Sequence, residues 1–231
     1  MANAAAPYTG TDTLEVLQDA VRYNRFLVDQ VCATVGSKHR VLDVGAGIGT
    51  FAAAVRDAGH DVTCLVTDHD QADRLRADGF TCIEDAQQLP ATSYDGAYSL
   101  NVLEHVVDDV GLLRQVHRAL RPGAQVYLYV PAFPVLYTSL DRKVGHVRRY
   151  RLAELVTKAR AAGFRVTRAG YVDALGFAAA LMYRAVGVRD GRLSPPMVKL
   201  YDRVLFPTSR ALDRLTSGWF GKNLAVVAVK G

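Results

Sequence analysis

Long apolar runs are missing from this sequence. The longest markedly apolar stretch without charge, Ala174 to Tyr183, falls short of the about 20 residues that a bilayer-spanning helix requires, so no transmembrane segment is expected. Met1 to Thr13 has neither a positive cluster nor an apolar core, which argues against a signal peptide and for a cytoplasmic protein. Cysteine is sparse and odd in number. Cys32, Cys64 and Cys82 form no C-x-x-C pair, which argues against a disulfide framework or a structural zinc and leaves three small buried hydrophobes. Internal repeats are absent, and the only biased segment is a short Ala-rich start. A concentrated basic patch is lacking too. The formal charge is +5, but Lys and Arg are mostly spread along the chain, so nucleic acid is not an expected partner.

What remains is a globular composition, 50% hydrophobic and 22% charged, over 231 residues, enough for a single domain. Leu14, Leu17, Val21, Val28 and Val31 recur at helical spacing, which predicts N-terminal helices over 11–35, ended by Gly36-Ser37. Strands and helices then alternate. Strands are predicted at Arg40–Val44, Asp61–Val66, Thr81–Ile83, Tyr94–Leu100, Gln125–Val130, Arg165–Val172 and Leu224–Val229. Helices are predicted at Phe51–Asp57, Gln71–Ala77, Val107–Leu120 and Arg151–Ala161. Arg121-Pro122-Gly123 reads as a turn, and Pro131 to Tyr150 as an aromatic, basic loop. Such alternation implies a parallel sheet with helices on both faces. Residues 173–222 interrupt it before the last strand. There Ser194-Pro195 reads as a helix start, Met197, Leu200, Tyr201, Val204 and Leu205 form an apolar stripe, and Pro207 is expected to stop the helix. This segment is either a cap or homodimer surface, or a helix layer on the sheet.

The sharpest local signal is Val41-Leu42-Asp43-Val44-Gly45-Ala46-Gly47-Ile48-Gly49, an apolar strand, an acid, and alternate glycines entering a helix. Glycines allow a tight turn and let a ligand lie on the backbone, and a helix start offers N–H groups to an anion. A dinucleotide site would use G-x-G-x-x-G, but Thr50 stands where its third glycine would fall. The G-x-G-x-G form suits adenosylmethionine; a nucleotide, or a turn serving packing alone, remains open.

With Glu84-Asp85-Ala86-Gln87-Gln88-Leu89-Pro90 after the third strand and Ser99-Leu100-Asn101-Val102-Leu103-Glu104-His105-Val106 after the fourth, residues 20–231 resemble the class I adenosylmethionine-dependent methyltransferases. The resemblance implies a Rossmann-like α/β fold with a seven-stranded, mostly parallel sheet whose last strand is antiparallel. It also implies one methyltransferase domain over 1–231, with a cofactor-binding core at 36–172, a helical cap at 173–222 and the last strand at 223–231. Asp43, Gly45, Ala46 and Gly47 would seat the methionine part, Asp85 would meet adenine, and Asn101 and His105 would line the methionine and methyl. The family's ribose-binding acid is replaced by Val66; Asp68 is the expected substitute, with Asp70 second. Tyr23-Asn24-Arg25-Phe26, Pro131-Ala132-Phe133-Pro134 and Asp141 through Tyr150 resemble a narrower bacterial subfamily that accompanies glycosyltransferases. That likeness brings Tyr23 toward the cofactor.

Methyl transfer to a hydroxyl requires alignment and loss of a proton, for which histidine is suited. His39, His60 and His69 flank strands, and His117 reads as lying on the outer side of a helix. His146 is the expected base, oriented by Asp141, with Tyr137, Arg142, Arg149 and Tyr150 around the acceptor. The competing reading has His146 and the arginines only ordering the loop. No cluster shows metal-ligand spacing, so no metal is expected, although Asp141 and His146 with a distant acid could hold a hard cation. The expected reaction is O-methylation of a carbohydrate or similar polar small molecule. The alternatives are a C- or N-methyltransferase acting on an isoprenoid, quinone or peptide-derived metabolite, and a non-catalytic adenosylmethionine-binding module.

Overall fold

The computed structural model describes residues 18–37, 40–186 and 195–231. The expected helical turns before residue 18, His39 and the Ser194 cap lie outside them. The strands are β1 (Arg40–Val44), β2 (Asp61–Leu65), β3 (Thr81–Ile83), β4 (Tyr94–Leu100), β5 (Leu120–Pro131), β6 (Phe164–Val172) and β7 (Asn223–Lys230). They form one sheet in the order β3-β2-β1-β4-β5-β7-β6. β1 to β5 pair in parallel, and β7 enters reversed between β5 and β6.

Helices cover both faces, because successive strand residues point to opposite sides. Leu42, Val44, Val126, Leu128 and Val130 pack toward α4 (Asp109–Ala119) and α6 (Leu152–Ala161). Val41, Tyr98, Tyr127 and Tyr129 pack toward α1 (Val21–Val35), α2 (Thr50–Asp57) and α3 (His69–Ala77). The strand order runs outward from β1 in both directions, so the loops leaving β1 and β4 part company at their carboxyl ends. Open α/β sheets bind ligands at such a point.

Three expectations change. Arg121-Pro122-Gly123 lies inside β5, as an irregularity where pairing with β4 steps from Tyr94↔Leu120 to Gly96↔Gln125. The loop 131–150 contains α5 (Ser139–Lys143), started by a capping box of Thr138 and Asp141. It is too short for its periodicity to show. Pro207 does not stop its helix. α8 (Pro195–Leu200) passes through a π turn at Tyr201–Leu205 directly into α9 (Phe206–Thr216). A proline inside a helix strands the carbonyl four residues earlier. Here that carbonyl, Arg203 O, accepts from Arg22 Nη1 at 2.9 Å.

The apolar stripe of this segment also faces outward: Met197, Leu200, Val204 and Leu205 are exposed. Its inward face is Val198, Asp202, Phe206, Ser209 and Asp213. The polar members close two helix starts. Asp202 accepts from the amides of Arg22 at 3.0 Å and Tyr23 at 2.8 Å. Asp213 and Ser209 accept from Asp173, Ala174 and Leu175 at the start of α7 (Ala174–Val186). α1 has no cap of its own, since Ala20 stands at that position.

Candidate active site

A cavity of about 700 Å³ opens at the carboxyl ends of β1 and β4. One wall is the glycine loop. Gly45, Gly47 and Gly49 adopt φ of +84°, +54° and +85°, and the amides of Gly45 and Ala46 both donate to Leu65 O at the end of β2. A Cβ on Gly45 would collide with Val102, and one on Gly49 with Leu75. The loop therefore lies tight between β2 and the turn after β4, and Gly45, Ala46, Gly47 and Ile48 line the cavity. Asp43 sits beneath it, buried, accepting from Tyr98 Oη at 2.8 Å. Burial pushes its carboxyl up to about 7, and the Tyr98 bond only partly opposes that.

Around the same cavity stand Tyr23, Val66, Thr67, Asp68 and Asn101. Asn101 holds φ +54°, a left-handed conformation that asparagine tolerates and that turns the chain sharply out of β4. Asp68 caps α3 by accepting from Gln71 N at 3.0 Å and still lines the cavity, whereas Asp70 does not line it. Asp85 caps the short turn at Ala86–Gln88 and, like Asp43, lies outside the cavity wall.

The opposite side is built by the turn after β4 and the loop after β5. Glu104 is fully buried on the cavity floor, and neither of its carboxylate oxygens meets a hydrogen-bond donor among the described residues. Burial pushes it up to about 8. His146 lies over it, with Nε2 at 3.7 Å from Glu104 Oε1 and Nδ1 at 2.7 Å from Asp141 Oδ1. Asp141 also takes a two-pronged contact from Arg149, Nε at 2.7 Å and Nη2 at 3.1 Å, and accepts from Thr138 N at 2.8 Å. Burial opposes the Asp141 charge, but His146 and Arg149 hold its carboxyl well below the usual range. His105 stacks edge-on to His146 with ring centroids 4.7 Å apart. Burial and the nearby His146 pull it down to about 4.

The acceptor residues expected from the sequence divide. Asp141, His146 and Arg149 line the cavity, while Tyr137, Arg142 and Tyr150 do not. Tyr137 Oη donates to His146 O at 2.6 Å, and Tyr150 is buried with its hydroxyl donating to Asp109 at 2.7 Å. These two brace the loop. Sequence reasoning passed over Glu104 and Lys222. Lys222 lines the cavity beside the Tyr201 ring, with Nζ 5.2 Å from its centroid, and burial pulls its ammonium down. The site histidines stand apart from the rest, although His117 is less exposed than expected: it packs on Phe164, 4.9 Å between centroids.

A family model described as a methyltransferase domain matches residues 17–169. The chain belongs to that family. It is a class I methyltransferase domain, and adenosylmethionine is the family's cofactor. A methyltransferase of Penicillium fellutanum is 26% identical over 186 residues, covering 69% of this chain and 54% of that one. The ubiquinone biosynthesis O-methyltransferase of Pseudomonas aeruginosa (strain UCBPP-PA14) is 30% identical over 112 residues, covering 44% of this chain and 47% of that protein. The chain thus spans about half the length of the curated relatives it matches. Among solved structures, a SAM-dependent methyltransferase of Thermotoga maritima superposes with TM-score 0.65 at 15% identity, covering 96% and 95% of the two chains. The 1,6-didemethyltoxoflavin-N1-methyltransferase of Burkholderia thailandensis, solved with S-adenosylhomocysteine, gives 0.56 at 19% identity, covering 100% of this chain and 92% of that one. At such identity the likeness concerns the fold.

The methyltransferase's glycine cradle fits this cofactor. Gly45 has no room for a Cβ, Gly45, Ala46 and Gly47 line the cavity, and Asp68 and Asn101 stand in the same wall. Among the described residues no helix is long and apolar enough to cross a membrane.

Proposed function

We propose that this domain O-methylates a hydroxyl of a polar small molecule, a carbohydrate or a similar natural product. The observation that carries the reading is the Asp141–His146 pair on the floor of the cavity that the glycine loop enters. Adenosylmethionine, when bound, supplies a methyl already activated on a positive sulfur. The chain's own work is to hold it, align the acceptor and ease a proton from the hydroxyl. Gly45, Ala46 and Gly47 hold the methionine part, Asp68 the ribose, and Tyr23, Asn101 and His105 the surroundings of the methyl. Asp141 fixes the His146 ring, and His146 activates the hydroxyl. Arg149 stays committed to Asp141, and Lys222, over the Tyr201 ring in the same wall, meets the acceptor's polar groups. Within 173–222, the described α7 and α8, which line the cavity through Gly176, Ala179, Ala180, Met197 and Val198, act as the cap over the acceptor.

A second reading, an isoprenoid or quinone-type acceptor, is favoured by the apolar wall of Leu136, Leu140, Val144, Ala179, Ala180 and Met197. Turnover on a panel of glycosides against prenylated phenols separates the two.

The test joins binding and turnover. Gly47→Val should abolish adenosylmethionine binding, since its φ of +54° excludes a β-branched residue and the new side chain would fill the cradle. His146→Ala should lower kcat by about 10²–10⁴-fold with cofactor affinity unchanged. Normal titration heat in the Gly47 variant removes the cofactor assignment. Full turnover in the His146 variant makes that residue a loop brace. Binding without transfer to any acceptor makes the chain a binding module.

A further inference from the structure

The floor of the cavity carries a feature that proton removal alone does not explain. Glu104, His105 and His146 each offer one ligand atom, and the three atoms lie within 4.8 Å of one another. Glu104 is completely buried, lines the cavity, and has no donor on either oxygen among the described residues. A buried carboxylate without partners is costly unless something positive meets it.

The His146 ring is also held from behind. His146 Nδ1 is bonded to Asp141 at 2.7 Å, which turns Nε2 toward Glu104. Asp141 is in turn clamped by Arg149 and by the Thr138 amide. His105 Nδ1 faces Gly145 of the same loop. Ligating histidines carry such partners on their other nitrogen, because these fix the ring and raise its basicity. Val147 N, donating to Glu104 O at 2.8 Å, pins the loop over the turn and brings the two segments into one constellation.

We propose that Glu104, His105 and His146 bind one divalent transition-metal ion, with its remaining positions open to the cavity. The inference rests on reading that cavity as the acceptor pocket. Two imidazoles and one carboxylate suit zinc, iron, cobalt or manganese better than magnesium or calcium, which prefer oxygen. Three protein ligands leave room for a substrate oxygen, as catalytic sites require. An acceptor hydroxyl in such a position becomes more acidic and loses its proton to solvent. The oxygen then forms the bond to the methyl carbon, the carbon–sulfur bond breaks, and its electron pair returns to sulfur to leave the neutral thioether. In this role His146 activates the hydroxyl by holding the ion.

The experiment titrates EDTA-stripped full-length protein with Co²⁺, followed by visible absorption and by metal analysis after dialysis. The expected result is one equivalent per chain, binding at least a hundredfold weaker in Glu104→Gln and His105→Ala, and about 10–100-fold weaker in Asp141→Asn. Absent binding, or binding that these changes leave untouched, overturns the site. Should a variant fail to fold, the wild-type protein decides: pulsed EPR with Mn²⁺ must show two coupled imidazole nitrogens, and none overturns it. The functional reading fails separately. If stripped protein binds adenosylmethionine and turns over at full rate, the ion is wrong and methyl transfer stands. If Co²⁺ binds as stated while adenosylmethionine does not, the site stands and the methyltransferase reading falls.

Discussion

Asp68 has two tasks competing for one carboxylate. Oδ1 accepts the amide of Gln71 and so starts α3, while the residue also lines the cavity where the ribose is proposed to lie. Asp68→Ala should therefore weaken adenosylmethionine by about 1–3 kcal/mol, the range for hydrogen bonds to a charged group. It should also lower stability by about 1 kcal/mol through the lost cap. Asp68→Ser separates the two, because serine can still cap: calorimetry should show affinity lost and denaturant melts should show stability kept. Asp70→Ala, outside the cavity, should change neither affinity nor turnover. This site was half legible from residues alone. The glycine loop, Asn101, Asp141 and His146 carry signals in spacing and residue type. Glu104 does not, because its significance is burial without a partner, a tertiary property that its own turn does not reveal; the loop at His146 and Val147 that meets it comes from far downstream in sequence. Asp85 and Tyr150 show what spacing cannot weigh: one accepts from Gln87 N at a turn and the other donates to Asp109, and both lie outside the cavity wall.

Elements that depend on their own periodicity were readable, and those that depend on partners were not. α1 is the clearest case. Its apolar spacing marks the helix, but its N-terminus is closed by Asp202 from 180 residues away. The stripe of 195–216 left two alternatives open for a related reason: its apolar Met197, Leu200 and Val204 are exposed, while the buried side works through Asp202, Ser209 and Asp213. Asp202→Ala should lower stability by about 1.5–3 kcal/mol, since two amides lose a charged acceptor. That corresponds to a fall in Tm of roughly 3–12 °C for a chain of this size. Because Tyr23 sits on the freed turn and lines the cavity, cofactor affinity should fall as well. A variant with unchanged Tm would remove this capping role from the account.

Across the whole molecule, all seven strands were legible, the central ones because strands covered on both faces must be apolar in sequence. Errors gathered at the ends and in the loop 131–150, where capping and ion pairs replace periodicity. One of those pairs ties the rear of the molecule together. Asp109 meets Lys158 Nζ at 2.8 Å, Arg148 Nη1 at 3.0 Å and the Tyr150 hydroxyl at 2.7 Å. Burial opposes its charge, but the Lys158 and Tyr150 bonds and the Arg148 charge outweigh it and lower its pKa. An acid depressed in the folded state stabilises above its unfolded pKa, about 3.9, and that contribution is lost as pH falls through the folded value. Asp109→Asn should therefore cost about 2–3 kcal/mol at pH 7 and flatten the acid limb of a stability profile measured by urea unfolding between pH 7 and 2. A profile of unchanged slope would show that other carboxyls govern acid unfolding.

The clasp between Asp202 and α1 has a thermodynamic corollary. Tyr23 on one side of it and Tyr201, Val198 and Met197 on the other belong to the walls of a single cavity. A ligand that orders either wall thereby prepares the other. Occupancy is then expected to be cooperative, in which case reciprocity requires that the factor by which an acceptor tightens adenosylmethionine equal the factor by which adenosylmethionine tightens the acceptor.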